Sequence, residues 1–223
     1  MKPNFIVMLT RNTVTVDNAL DVFNECQDLP VDCWGFKDTG ITEQGICKLV
    51  DAIKEAGKKS FLEVVTLDEA SCMDAAKIAY NSGVDYLIGT MFYPSVWEYI
   101  SSKQIAYFPF VGDIYVNVHP AIMKGSPESM IEKSKMFHEM NIQGINLPAY
   151  HYVDDCPEEL ARKVIERSKS DVIIAGNITN VSRLNFIKNL NPWGFTIGSS
   201  LFDGAFAEDA GFKANVLRAC ELL

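Results

Sequence analysis

The sequence predicts a single (β/α)8 TIM barrel, an α/β fold in one domain over residues 1–223. Three observations predict it. Eight short β-rich runs alternate with segments of helical spacing, and strands alternating with helices of about 10–15 residues imply a parallel sheet. The length allows roughly 28 residues for each of eight repeats, near the lower end for this architecture. The last two runs each end in glycine plus a small polar residue, VIIAGN at 172–177 and WGFTIGS at 193–199, one helix apart. An open doubly wound sheet is the rival fold. It usually has about five or six strands and often a glycine-rich first turn, whereas the first turn here, LTRNTVT, has no glycine.

The runs follow in order. FIVML (5–9) is the first strand, CWGFK (33–37) the second and SFLEVV (60–65) the third. VDYLIG (84–89), IAYFPF (105–110) and QGINL (143–147) are the fourth, fifth and sixth. The two glycine-terminated runs are the seventh and eighth. Between them, Ile46, Leu49, Val50 and Ile53 lie on one helical face, as do Val181, Leu184 and Ile187, and Leu160 with Val164. Asp17 and Thr42 are expected N-caps, and Gly57 and Gly83 expected stops after helices. The stretch 111–125, VGDIYVNVHPAIMKG, reads as a long irregular loop, which would overhang the open end of the barrel.

Composition bounds the function. A hydrophobic share of 48% supplies a sizeable core. The formal net charge of −9 argues against nucleic-acid or anionic-membrane partners, so an anion site must be built locally. No apolar run approaches a membrane span, and the apolar start is cut short by Thr10, Arg11 and Asn12, unlike a signal peptide. The six cysteines show no C-x-x-C and no Cys/His cluster. They read as reduced thiols acting as small hydrophobes, and the expected location is cytoplasmic. The dinucleotide fingerprint G-x-G-x-x-G and the P-loop are both missing, so no cofactor is expected.

Barrel enzymes place their chemistry at the C-terminal ends of the strands. The strongest residue there is Lys37, closing the second strand beside Asp38. A lysine partly desolvated at a strand end can act as base or Schiff-base amine. Glu63, within FLEVV on the third strand, needs a partner if buried, and Lys37 is the neighbour that can supply it. Arg11 closes the first strand, where its fork could take a carboxylate or phosphate. His119 and His151 follow the fifth and sixth strands as possible acid/base groups. With Asp113 or Asp155 they could form a metal site, but no ligand spacing supports one, and the expectation is no metal. Gly176, Asn177, Gly198, Ser199 and Ser200 end the seventh and eighth strands. Glycines there bare backbone N–H groups to an anion, and loops after these strands frequently bind phosphate in a barrel. For each polar residue, a purely structural salt bridge or surface role is the alternative.

The terminal pattern AGNIT–helix–IGSSLFDG (175–204) resembles the ribulose-phosphate-binding barrel superfamily. The resemblance implies that the backbone at Gly176, Asn177, Gly198 and Ser199 holds a substrate phosphate. The chain departs from that pattern in having Gly176–Asn177 where many members have Gly-Gly, and Arg11–Asn12 where phosphoribosyl isomerases have aspartate. It also lacks the D-x-K-x-x-D decarboxylase motif and the sixth-strand lysine of class I aldolases. MLTRN, GFKDTG and LEVVT together resemble a barrel family labelled 4-hydroxythreonine-4-phosphate dehydrogenase, which likewise implies a phosphorylated substrate.

The leading expectation is an enzyme of lyase, isomerase or epimerase type acting on a small phosphorylated metabolite. Lys37 and Glu63 would move protons, and Asp38 and Arg11 would position polar groups. A non-catalytic phosphometabolite sensor and a metal-assisted enzyme using the loop histidines are the alternatives. Barrels of this kind are often dimers, so a homodimer is left open, with no seam readable on the surface.

Overall fold

The protein is described by a computed structural model covering residues 2–116, 120–208 and 210–223. The chain runs β1 (Asn4–Met8), α1 (Ala19–Cys26), β2 (Cys33–Lys37), α2 (Glu43–Glu55), β3 (Lys59–Val64) and α3 (Glu69–Ser82). It continues through β4 (Tyr86–Gly89), α4 (Pro94–Ser101), β5 (Ala106–Phe108), α5 (Pro127–Glu139), β6 (Gly144–Leu147) and α6 (Pro157–Arg167). The last elements are β7 (Asp171–Ile174), α7 (Val181–Leu190), β8 (Gly194–Ile197), the short α8 (Ser199–Phe202) and α9 (Phe212–Leu222). All eight strands overlap the runs that predict them, β1, β3 and β7 each starting one residue earlier.

The strands form one parallel sheet in the order β6-β7-β8-β1-β2-β3-β4-β5. It closes through a parallel bridge between Phe110 and Asn146, supported by Asn146 N–H donating to the Pro109 carbonyl at 2.9 Å. The result is a (β/α)8 barrel, with the sheet's edges joined and its outer face covered by helices. Outward residues such as Val7, Trp34, Leu62, Leu87 and Ile145 pack with the helices in the main core.

The tilt of the strands sorts the inward residues into layers of four from alternate strands. From the registers, Ile6, Phe61, Phe108 and Ile173 form a lower layer. Gly35, Ile88, Asn146 and Thr196 lie above it, then Met8, Glu63, Phe110 and Ala175. The closed end is aromatic. Trp193 packs on Phe108 (5.0 Å between centroids), and Phe61 stacks on Tyr86 at 4.1 Å.

Local chemistry explains the helix ends. Thr42 caps α2, its hydroxyl accepting from Gly45 N–H at 3.1 Å, as expected. Asp17 does not cap α1. The residue at that position is Asn18, whose φ of −101° and ψ of 29° lie outside the extended conformation typical of a cap, and it makes no side-chain cap bond. Gly57 and Gly83 both take positive φ after their helices, as a left-handed stop requires.

Two hairpins decorate the open end. Residues 10–11 pair with 14–15, and Asn12 and Thr13 between them both have positive φ (50° and 71°), as a type I′ turn demands. The stretch 111–125 is not the irregular loop expected. Residues 113–115 and 122–124 pair as antiparallel strands. Its strand signal is only three residues long on each side, too short to stand out from turn-rich sequence. Among the described residues no helix is long and apolar enough to cross a membrane. All six cysteines are free.

Candidate functional site

The C-terminal ends of the strands surround a cavity of about 660 Å³. Its floor is the uppermost inner layer, Met8, Glu63, Phe110 and Ala175, and part of its wall comes from the paired segments 113–115 and 122–124 and their neighbours Val116, Pro120 and Ala121. Three sectors of the rim differ in chemistry.

The first sector is charged. Lys37 and Glu63 face one another across β2 and β3, with Nζ to Oε2 at 3.5 Å. Both are largely withdrawn from solvent, their side chains 17% and 13% exposed. The backbone at Lys37 is fixed by Thr15, whose Oγ1 accepts from Lys37 N–H (2.8 Å) and donates to the Lys37 carbonyl (2.7 Å). The first hairpin therefore aligns the lysine. Asp38 lines the same sector, and burial is the main force pushing its carboxyl above the ordinary range, opposed in part by the Lys37 charge.

The second sector is backbone. Gly176 (φ 72°) and Asn177 (φ 56°) make a left-handed turn after β7, and Gly198, Ser199 and Ser200 follow β8. All five line the cavity. The N–H groups of Asn177, Gly198, Ser199 and Ser200 have no hydrogen-bond partner among the described residues. Gly176 N–H is already used, donating to Thr196 Oγ1 at 3.0 Å, so its part is to hold the turn. At Gly198 a Cβ would come within 2.5 Å of Thr10 Oγ1 and 2.9 Å of the Thr10 carbonyl, so only glycine fits. Behind the turn, Arg183 donates to the Asn177 carbonyl at 2.5 Å and lies 4.2 Å from the Tyr150 ring centre, placing a fixed cation beside the loop.

His151 sits at the edge of this sector. Its Nδ1 lies 2.7 Å from the Ala121 carbonyl, which can only accept, so Nδ1 carries the proton. Nε2 then faces Gly176, 3.2 Å from where a Cβ would stand. His119 lies outside the described residues. Among the described residues no cluster of three or more His, Cys, Asp or Glu could hold a metal.

The third sector is apolar: Phe110, Val65 and the hairpin residues Ile114, Val116 and Ile122.

Sequence reasoning brings Lys37, Asp38, Glu63 and the glycine loops to this mouth, and the structure gathers them around one cavity. Arg11 is placed elsewhere. It pairs with Asp203 at 2.8 Å, both about half exposed, and does not line the cavity. Thr196, which holds the β7 turn, and Asp203, which lines the cavity, were missed. So was Asn146, fully buried beneath the floor with neither amide atom partnered among the described residues. Period-two alternation in GINL puts Asn146 on the inward face, which was the available signal.

No family model matches the chain, and no curated protein matches it in sequence. Solved structures do match. Orotidine 5'-phosphate decarboxylase from Pyrococcus horikoshii OT3 superposes with a TM-score of 0.68 at 13% identity, covering 97% of this chain and 99% of that one. N-acetylmannosamine-6-phosphate 2-epimerase from Clostridium perfringens gives 0.62 at 12%, covering 100% and 94%. Phosphoribosylanthranilate isomerase from Thermotoga maritima gives 0.62 at 12%, covering 98% and 99%. At these identities the likeness shows the fold. These three neighbours are enzymes named for phosphorylated compounds, and they lend no support to the 4-hydroxythreonine-4-phosphate dehydrogenase label.

Proposed function

We propose that this protein is an enzyme acting on a small phosphorylated metabolite through proton transfer, in a reaction of lyase, isomerase or epimerase type. The observation that carries the reading is the Lys37–Glu63 pair, 3.5 Å apart and opening into the same cavity as four unpaired backbone N–H groups. The N–H groups and the Arg183 charge behind them suit a phosphate. Glu63 is placed to take a proton from carbon, and Lys37 to hold negative charge developing on an adjacent oxygen. Asp38, held toward its protonated form by burial, can return a proton. The structural neighbours, named as a phosphate-compound decarboxylase, epimerase and isomerase, support the substrate class in general terms. A sensor would need the phosphate cradle alone, whereas here an acid–base pair faces the same space.

The test is thermal stability across a panel of sugar and amino-acid phosphates, for the native protein and Asn177→Asp. Aspartate tolerates the left-handed conformation at that position and sets a carboxylate against the phosphate. A ligand at about 100 times its Kd should raise stability by about 2.7 kcal/mol in the native protein and leave the variant unmoved. The reading fails if no phosphorylated compound shifts the native protein. With a turnover assay on the stabilising compound, Lys37→Met should cost about 10²–10⁴ in rate while phosphate still binds. An unchanged rate removes Lys37 from the chemistry.

A further inference from the structure

We infer that the phosphorylated ligand also carries a hydrocarbon group, aryl or branched alkyl, seated against Ile114, Val116 and Ile122; this rests on the phosphate reading given above. The cavity is larger than that reading needs. Its roughly 660 Å³ corresponds to about twenty waters, more than glycerol phosphate would fill. Phosphate at the β7 and β8 loops and a reacting carbon at Lys37–Glu63 occupy two sectors of the rim. Among the described residues the third sector offers Val65, Phe110, Ile114, Val116 and Ile122, with no charged side chain; Thr66 beside them has its hydroxyl on Cys72 Sγ at 3.3 Å.

That sector is built and held in place. The hairpin strands pair from Asp113–Lys124 to Tyr115–Ile122. Val153 N–H donates to the Met123 carbonyl at 3.2 Å, and Gly125 N–H to Asp154 Oδ2 at 2.9 Å. His151 Nδ1–H donates to the Ala121 carbonyl at the edge of the phosphate sector, so the hood and the cradle are joined by one side chain. Val116, which lines the cavity, remains 40% exposed, a large apolar side chain on a chain of net charge −9. Apolar surface left in water at the edge of a ligand cavity gains most when the ligand covers it. A polar sugar chain would gain nothing by covering Val116 and would meet no hydrogen-bonding group on Val65, Phe110, Ile114, Val116 or Ile122.

The experiment is calorimetric titration of the full chain with inorganic phosphate, glycerol 3-phosphate, phenyl phosphate and isopentenyl phosphate. Phenyl or isopentenyl phosphate should bind at least about tenfold tighter than glycerol 3-phosphate, a difference of about 1.4 kcal/mol. Val116→Asp, at an exposed position, and Ile122→Asp should each erase that preference while leaving the affinity for inorganic phosphate unchanged. Equal affinity for all the esters overturns the inference and leaves the phosphate site standing, as does a preference that survives both substitutions. Binding of no phosphate at all removes the phosphate reading and this inference with it.

Discussion

Among the described residues two asparagines are fully buried, and they are opposite in kind. Asn215, on α9, accepts from Phe206 and Ala207 N–H (3.0 and 2.9 Å). Its amide group donates to the carbonyls of Ala207, Ala210 and Gly211 (3.1, 2.9 and 3.2 Å). One side chain thus organises the loop between α8 and α9. Asn146, on β6, is as deeply buried and has no partner for either amide atom among the described residues. Burying an amide without a hydrogen bond costs free energy that a satisfied amide does not. The satisfied asparagine lies away from the cavity and the unsatisfied one directly beneath it. Positive φ at non-glycine residues follows the same split: Asn12, Thr13, Thr90 and Asn177 crowd the open end, whereas Asn141 and Asn191 simply follow helices α5 and α7. The closed end, packed with Trp193, Phe61, Tyr86 and Phe108, is where stability is gained, and the open end is where it is given up.

That contrast can be broken by experiment. The largest effect is expected for Asn215→Leu, which strands the Phe206 and Ala207 N–H groups and the Ala210 carbonyl at once. It should lose on the order of 3 kcal/mol in urea unfolding. A loss under about 0.5 kcal/mol would mean that the loop does not depend on this side chain. Asn146→Leu, nearly isosteric, should go the other way and gain about 1–2 kcal/mol, because it removes the unpaired amide without opening a cavity. If it destabilises instead, Asn146 has partners in solution and the two asparagines are alike.

Asp38 extends the comparison to a charge. Its carboxyl is raised by burial, so the folded state holds the proton more tightly than the unfolded chain. The folded state is therefore favoured most below the unfolded value of 3.8, and stability falls as pH climbs through the raised folded value. Asp38→Asn removes this term. The variant should be the more stable one near neutral pH, and its advantage should vanish toward pH 3. An advantage that does not change with pH would assign the effect to packing rather than to the charge.

Much of this molecule is determined locally and was legible for that reason. Strand runs, helix faces, the Thr42 cap and the glycine-ended loops depend on period, propensity and turn chemistry, which reside in a few consecutive residues. The 1-to-8 strand count, and with it the barrel, followed from that rhythm. The Lys37–Glu63 pair was legible as neighbouring strands, but register alone set its 3.5 Å separation. Tertiary structure decided the rest. Arg11 turned to Asp203, 192 residues away, because β1 and β8 are neighbours in a closed barrel. Thr196 took the Gly176 N–H, and residues 113–115 paired with 122–124 at the mouth. These outcomes depend on which distant groups meet once the sheet closes, and a linear pattern holds no record of those meetings.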